Sequence, residues 1–353
     1  MMKTAPGFGQ AQVALPITAE SQPDLWMLVQ DTAARLGVPA PRRIEIYPVP
    51  EVAAAPGRLL LGLPYVLDLP ADELAAVIAH ELVHLHANVP AADALVAQVV
   101  SPESVAAALV HGSYLSLTFE RFVLQYVSPL AAEGWYPVDL WDAWRWTLRQ
   151  DRDRFPLPEL AGRVTALLGS PALPPPAPGV RPVPLRPLGV EVEAAFAKLL
   201  AERLTAARTA SPAPSGHLIP FGSVPVAGAG LRAVTFDTAD QGVWDTAIAA
   251  CAQRIRETVA GMGGGHVLDL VRRGRATELL RRCGAESPDL FPVVRSLGPL
   301  LADALHRRGY RPEILLQQHL LTGPAFDKID VHSLISPFEQ GAAPSPLLLD
   351  LLA

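Results

Sequence analysis

His80, Glu81 and His84 lie in the run Asp72-Glu73-Leu74-Ala75-Ala76-Val77-Ile78-Ala79-His80-Glu81-Leu82-Val83-His84-Leu85-His86, which reads His-Glu-x-x-His. Leu74, Ile78, Leu82 and Leu85 recur at i, i+4, i+8 and i+11, an apolar stripe of helical period. On a helix, His80 and His84 project from one face, one turn apart, at a separation that can share a zinc ion. Glu81 sits beside them, where its carboxylate can reach a water on that metal. The plainer reading of the same spacing is a surface helix with two solvated histidines. The flanking Ala and Val residues argue against it: they imply burial, and a buried His-Glu-His row needs partners to offset its lost hydration. His86, two residues past His84, leaves the metal face and reads as a surface or supporting residue.

Several elements must position this helix. Pro23-Asp24 opens a first helix whose Leu25, Leu28, Thr32 and Leu36 share a face, with Gly37 as its C-cap. Arg43 to Tyr47 alternates polar and apolar residues, as a half-buried strand does, and Arg58 to Gly62 is a second strand. Ala92 to Val100 and Glu103 to Val110 are helix-prone stretches punctuated by Pro90 and Pro102. Trp135, Tyr136, Trp141, Trp144 and Trp146 read as packed core ahead of a substrate pocket.

Ser170 to Pro187 is proline-rich, and so extended and stiff, either a domain linker or a strap along a surface. Beyond it, Glu191 to Ala207, Gln241 to Val259, Val267 to Arg282 and Val293 to Arg308 read as helices, the last closed by Gly309. Leu231 to Phe236 reads as a strand. Gly263-Gly264-Gly265 lacks the spacing of a phosphate loop and reads as a joint.

The stretch from Leu25 to His86 resembles the HtpX-like zinc metallopeptidases, a family that includes the CAAX prenyl endopeptidases. The resemblance rests on Leu25 to Leu36, Gly37-Val38-Pro39-Ala40-Pro41, Arg43-Ile44-Glu45-Ile46-Tyr47 and the His80-Glu81-x-x-His84 helix. It extends through Gly134-Trp135-Tyr136-Pro137 and Phe155 to Val164, covering residues 24 to 165. It implies a gluzincin, with a third zinc ligand from a Glu on a later helix; Glu120, in Glu120-Arg121-Phe122-Val123-Leu124, fits that place. Glu191 and Glu193 are fallback ligands, and Glu103 and Asp93 weaker ones. By the same analogy Arg58 to Gly62 borders the cleft and pairs with an extended peptide. Leu124 stands where the family has Asp, and Val52-Ala53-Ala54 where it has an Asn-Ala pair.

The whole chain sets further bounds. Its 353 residues are half hydrophobic and 18% charged, enough for a sizeable core. A net charge of −6 gives no reason to expect nucleic acid as a partner. Cys251 and Cys283 are too few for a disulfide framework, the N-terminus lacks an apolar signal region, and no segment reads as a transmembrane helix. A cytoplasmic location is expected.

The expected fold is α+β and mostly helical. It comprises a zincin-like metallopeptidase domain with a small sheet over 1–169, a Pro-rich linker over 170–189 and a helical C-terminal domain over 190–353. The expected function is zinc-dependent hydrolysis of a protein or peptide, with one zinc per chain held by His80, His84 and Glu120. Glu81 is the general base. His111, Arg121 and Tyr126 are candidate oxyanion donors by proximity in sequence. The alternatives are a peptidase-like scaffold without hydrolysis and a regulatory peptidase that cuts one partner.

Overall fold

A computed structural model describes residues 14–85, 89–151, 160–169, 181–210, 230–237, 240–261, 267–275, 291–317, 320–339 and 342–353. The chain is mostly helical with small sheets, an α+β architecture. It divides into two compact units: residues 1–120 with 144–196, and residues 121–143 with 197–353. This differs from the single boundary expected at 170–189, because residues 121–143 cluster with the C-terminal half. Among the described residues no helix is long and apolar enough to cross a membrane.

In the first unit, strands β1 (Leu15–Ile17), β2 (Arg43–Tyr47), β3 (Val52–Ala55) and β4 (Arg58–Gly62) form a sheet of order β1-β2-β4-β3. β2 and β4 run parallel, with Ile44 opposite Leu59 and Ile46 opposite Leu61. β3 folds back antiparallel on β4, with Val52 opposite Leu61. β4 is therefore paired on both sides, and the expected cleft strand at 58–62 lies inside the sheet. The edge is β3. Leu59, Leu60 and Leu61 are all buried, so β4 reads as a continuous apolar run, as a strand covered on both faces does.

β2 also departs from the half-buried expectation. Its Glu45 is only 1% exposed, and the carboxylate is held by the guanidinium groups of Arg43 (2.6 Å) and Arg58. The polar positions that mimic a solvent face include a buried, paired charge.

Helix α1 (Pro23–Leu36) ends at Gly37, as its sequence predicts. It buries Leu25, Val29, Thr32 and Ala33, a face rotated from the expected one. Gly62, at the end of β4, leads into α2 (Leu63–Asp68) and has no room for a side chain. A Cβ there would stand 2.0 Å from the Val49 carbonyl oxygen and 2.7 Å from the Glu51 backbone, whose carbonyl accepts from the Gly62 N–H. Gly62→Ala is expected to cost about 3 kcal/mol or more of stability, at or beyond the usual range for overpacking, read as a lowered urea midpoint.

Helix α3 (Ala71–His84) packs against α1, against β3 and against α4 (Val89–Val99). The proline-rich segment reaches its N-terminus. Arg181 carbonyl accepts from the Ala71 N–H at 3.0 Å, satisfying a donor that a helix start leaves open. Arg186 exchanges two hydrogen bonds with the Gln22 side chain at 2.8 and 2.9 Å. Residues 181–187 thus form a strap on the first unit; 170–180 lie outside the described residues. Helix α5 (Pro102–Phe122) is continuous and carries Glu103, His111 and Glu120 together. Trp144 is buried against Phe119, ring centroids 5.5 Å apart, and Trp141 is buried too, as the core reading expects, whereas Trp135, Tyr136 and Trp146 are half-buried.

The second unit holds its own core of Leu270, Leu297, Leu301, Leu305, Ile335 and Leu348. Of the helix expected over Val267–Arg282, the described part ends at Arg272, where Gly274 takes a left-handed backbone (φ 65°), and residues 276–282 lie outside the described residues. The helix Phe291–Arg307 closes at Gly309, and the expected strand near 231–236 is Arg232–Val234, parallel to Trp135–Pro137. Gly263 to Gly265 lie outside the described residues.

Candidate metal centre

α3 buries most of its circumference: Leu74, Ala75, Ala76, Ile78, Ala79, Leu82 and Val83 are all enclosed. The alanines let neighbouring elements approach closely, which draws His80 inward to 6% exposure. His84 lies one turn on, half-buried. Their rings meet edge to face with centroids 4.3 Å apart, and the two Nε2 atoms face each other at 2.8 Å. The ligand atoms of His80, Glu81 and His84 all lie within 4.8 Å of one another.

These three residues could hold a metal ion. Two imidazole nitrogens on one tetrahedral zinc stand roughly 3.3 Å apart, from Zn–N distances of about 2.0–2.1 Å. Opening the pair by about 0.5 Å admits the ion.

Burial pushes the Glu81 carboxyl up to about 7; the nearby Glu51 charge adds to this and His80 opposes it. Burial also holds His84 below the ordinary imidazole range, with His80 adding to the effect and Asp93 opposing it. His84 is thereby kept neutral at neutral pH, the form that binds metal. Tyr65 stands nearby, pushed up to about 12 by burial and by the charges of Glu51 and Glu81, against the Ser116 hydrogen bond. Tyr47 is buried and raised well above its ordinary value for the same reasons. Both phenols therefore stay protonated.

Asp93, on α4, places Oδ1 3.0 Å from His80 Nδ1. Its Oδ2 accepts from Arg163 Nη2 at 2.8 Å and Nε at 3.3 Å. Burial alone would raise Asp93, but the hydrogen bonds and charges of His80 and Arg163 outweigh it and bring the carboxyl to about 2.

The other expected site residues are placed as follows. Glu120 is half-buried near the end of α5 and is not one of the group of three. It lies one turn beyond Ser116, whose hydroxyl shares a 2.8 Å hydrogen bond with Tyr65 and donates to Pro50 carbonyl at 3.2 Å. His111 Nδ1 lies 2.7 Å from Glu73, two helical turns before His80. Tyr126 donates to the Leu316 carbonyl, and Arg121 Nη2 lies 3.3 Å from His332 Nδ1, both within the second unit. Each of these two side chains is held by that partner within its own unit. Glu191 and Glu193 open the helix Val190–Ala210, outside the group, and Glu103 opens α5. His86 lies outside the described residues.

Sequence reasoning missed Glu51, Tyr47 and Tyr65, which no motif marks; tertiary structure brings the Glu51 charge to bear on Glu81, and the Glu81 charge on the two tyrosines. Comparisons with protein-family models, curated proteins and solved structures found no match. The chemistry of the site therefore rests on its own residues.

Proposed function

We propose that this chain is a zinc-dependent endopeptidase in which His80 and His84 hold the metal and Glu81 is the general base. The observation that carries this reading is the facing pair of Nε2 atoms with a carboxylate of raised pKa in the same group. His80 and His84 would hold the zinc, which would supply Lewis acidity toward a peptide carbonyl and toward water. Glu81, poised near neutrality, takes a proton from the attacking water and returns it to the leaving amine. Neutral Tyr47 and Tyr65 add no competing negative charge beside it.

Glu120 is the proposed third ligand. Its support is the resemblance to the HtpX-like peptidases and its place one turn from Ser116, whose partner Tyr65 feels the Glu81 charge. The proposed substrate is a protein or peptide. β3, the sheet edge packed on the motif helix, offers an extended segment backbone groups to pair with.

A second reading, a metal-holding scaffold without hydrolysis, is favoured by Leu124, which offers no acceptor where the resembling family carries Asp. The deciding experiment measures zinc content and hydrolysis of a peptide library. About one zinc per chain together with cleavage is the expected result. Zinc without cleavage establishes the scaffold, and no zinc after supplementation overturns both readings. Glu120→Ala is expected to lose most of its zinc in the same measurement; full retention would move the third ligand elsewhere.

A further inference from the structure

We infer that Asp93 and Arg163 are positioning residues that orient His80 for metal binding; this rests on the metal-site reading above. The two oxygens of Asp93 serve different partners. Oδ1 lies 3.0 Å from His80 Nδ1, while Oδ2 takes both the Nη2 and Nε of Arg163. The Asp93 charge beside Nδ1, close in distance though short of full hydrogen-bond geometry, favours the proton on that nitrogen and leaves the Nε2 lone pair free. That lone pair is the one turned toward His84. Asp93 consequently stands on the far edge of the His80 ring from Nε2. It supports a ligand and is not itself one.

The three groups come from three helices, and an apolar cluster fixes their register. Ala76, Ala79 and Val83 of α3 pack with Ala92 and Val96 of α4, and Leu167 from the helix Ala161–Leu168 packs against them. Asp93 follows Ala92 directly, and Arg163 lies one turn before Leu167. The polar relay therefore sits at the margin of a packed interface, with the Asp93 side chain 22% exposed and that of Arg163 36%. Solvent screens it only in part, so the geometry carries weight. Leu124 cannot accept a hydrogen bond, and this relay brings from α4 a carboxylate beside a ligand imidazole.

The test uses the full chain and zinc alone, with affinity measured by chelator competition for the native protein, Asp93→Ala, Asp93→Asn and Arg163→Ala. Asp93→Ala is expected to bind zinc 10–100-fold more weakly, the usual cost of removing such support. Asp93→Asn keeps an acceptor at the same place and is expected to recover part of that loss. Arg163→Ala weakens binding less, and adding it to Asp93→Ala has little further effect, because Arg163 acts through Asp93. Ring nitrogen NMR supplies a readout that general destabilisation would not move: the His80 Nδ1–H signal of the metal-free native protein shifts toward the Nε2–H tautomer in Asp93→Ala. Native-like zinc affinity and an unchanged tautomer in folded Asp93→Ala would overturn the inference while leaving the metal site standing. Absence of zinc binding by the native protein would overturn the metal site and the inference with it.

Discussion

Glu81→Gln is expected to lower peptide hydrolysis by at least about 10²–10⁴-fold while zinc stays near one per chain. Gln keeps the size of the side chain and its packing on α3 but cannot take a proton. Zinc content separates this outcome from loss of the site, since Glu81 has no need to touch the metal in the proposed arrangement. A variant that retained hydrolysis would sink the general-base assignment.

The same substitution carries a stability signature with a defined sign. The folded Glu81 carboxyl is raised to about 7, above its ordinary range, chiefly by burial. Between that ordinary range and about 7 the folded state binds more protons than the unfolded state. Stability therefore falls as pH rises through this window. Gln cannot ionise, so the metal-free variant lacks that loss. Thermal melts of the metal-free proteins at pH 5 and pH 8 check this: the native chain is expected to lose more stability between the two than Glu81→Gln. Equal losses would show that Glu81 titrates in its ordinary range. A variant more stable than the native chain above neutrality is the mark of a residue placed for chemistry at the expense of stability.

His84→Ala is expected to abolish stoichiometric zinc binding. The facing Nε2 pair is the nucleus of the proposed site, and one imidazole with a carboxylate leaves too few of the three protein ligands that an open zinc site uses. His84 is the more informative of the two histidines to replace, being half-buried where His80 is nearly enclosed and tied to Asp93. The cavity left is smaller and the fold less disturbed. Binding also follows pH in a set direction: burial holds His84 below the ordinary imidazole range, so protons displace zinc from it only at pH values below those typical of histidine. Undiminished zinc in His84→Ala, measured by metal analysis after gel filtration, would show that the ion binds elsewhere.

The spacing of His80 and His84 was legible because it depends on helix geometry alone: four residues along any α-helix return a side chain to the same face. The mostly helical α+β class, the ends of the helices at Gly37 and Gly309, and the strand at Arg43–Tyr47 were legible for the same local reason. Which strand forms the sheet edge was not. Arg58–Gly62 and Val52–Ala55 are adjacent in sequence, and only long-range pairing with Arg43–Tyr47 places the first inside and the second outside. Glu45 looked like a solvent-facing position because its guanidinium partner Arg58 lies on another strand. Asp93 was visible as a weak ligand; tertiary packing of three helices decided that it meets the far nitrogen of His80. The sequence by itself determined that His80 and His84 share one helical face, because that is a property of one helix. Tertiary structure decided which carboxylates surround them and how far burial shifts their protons, because both depend on chain segments brought together from far apart.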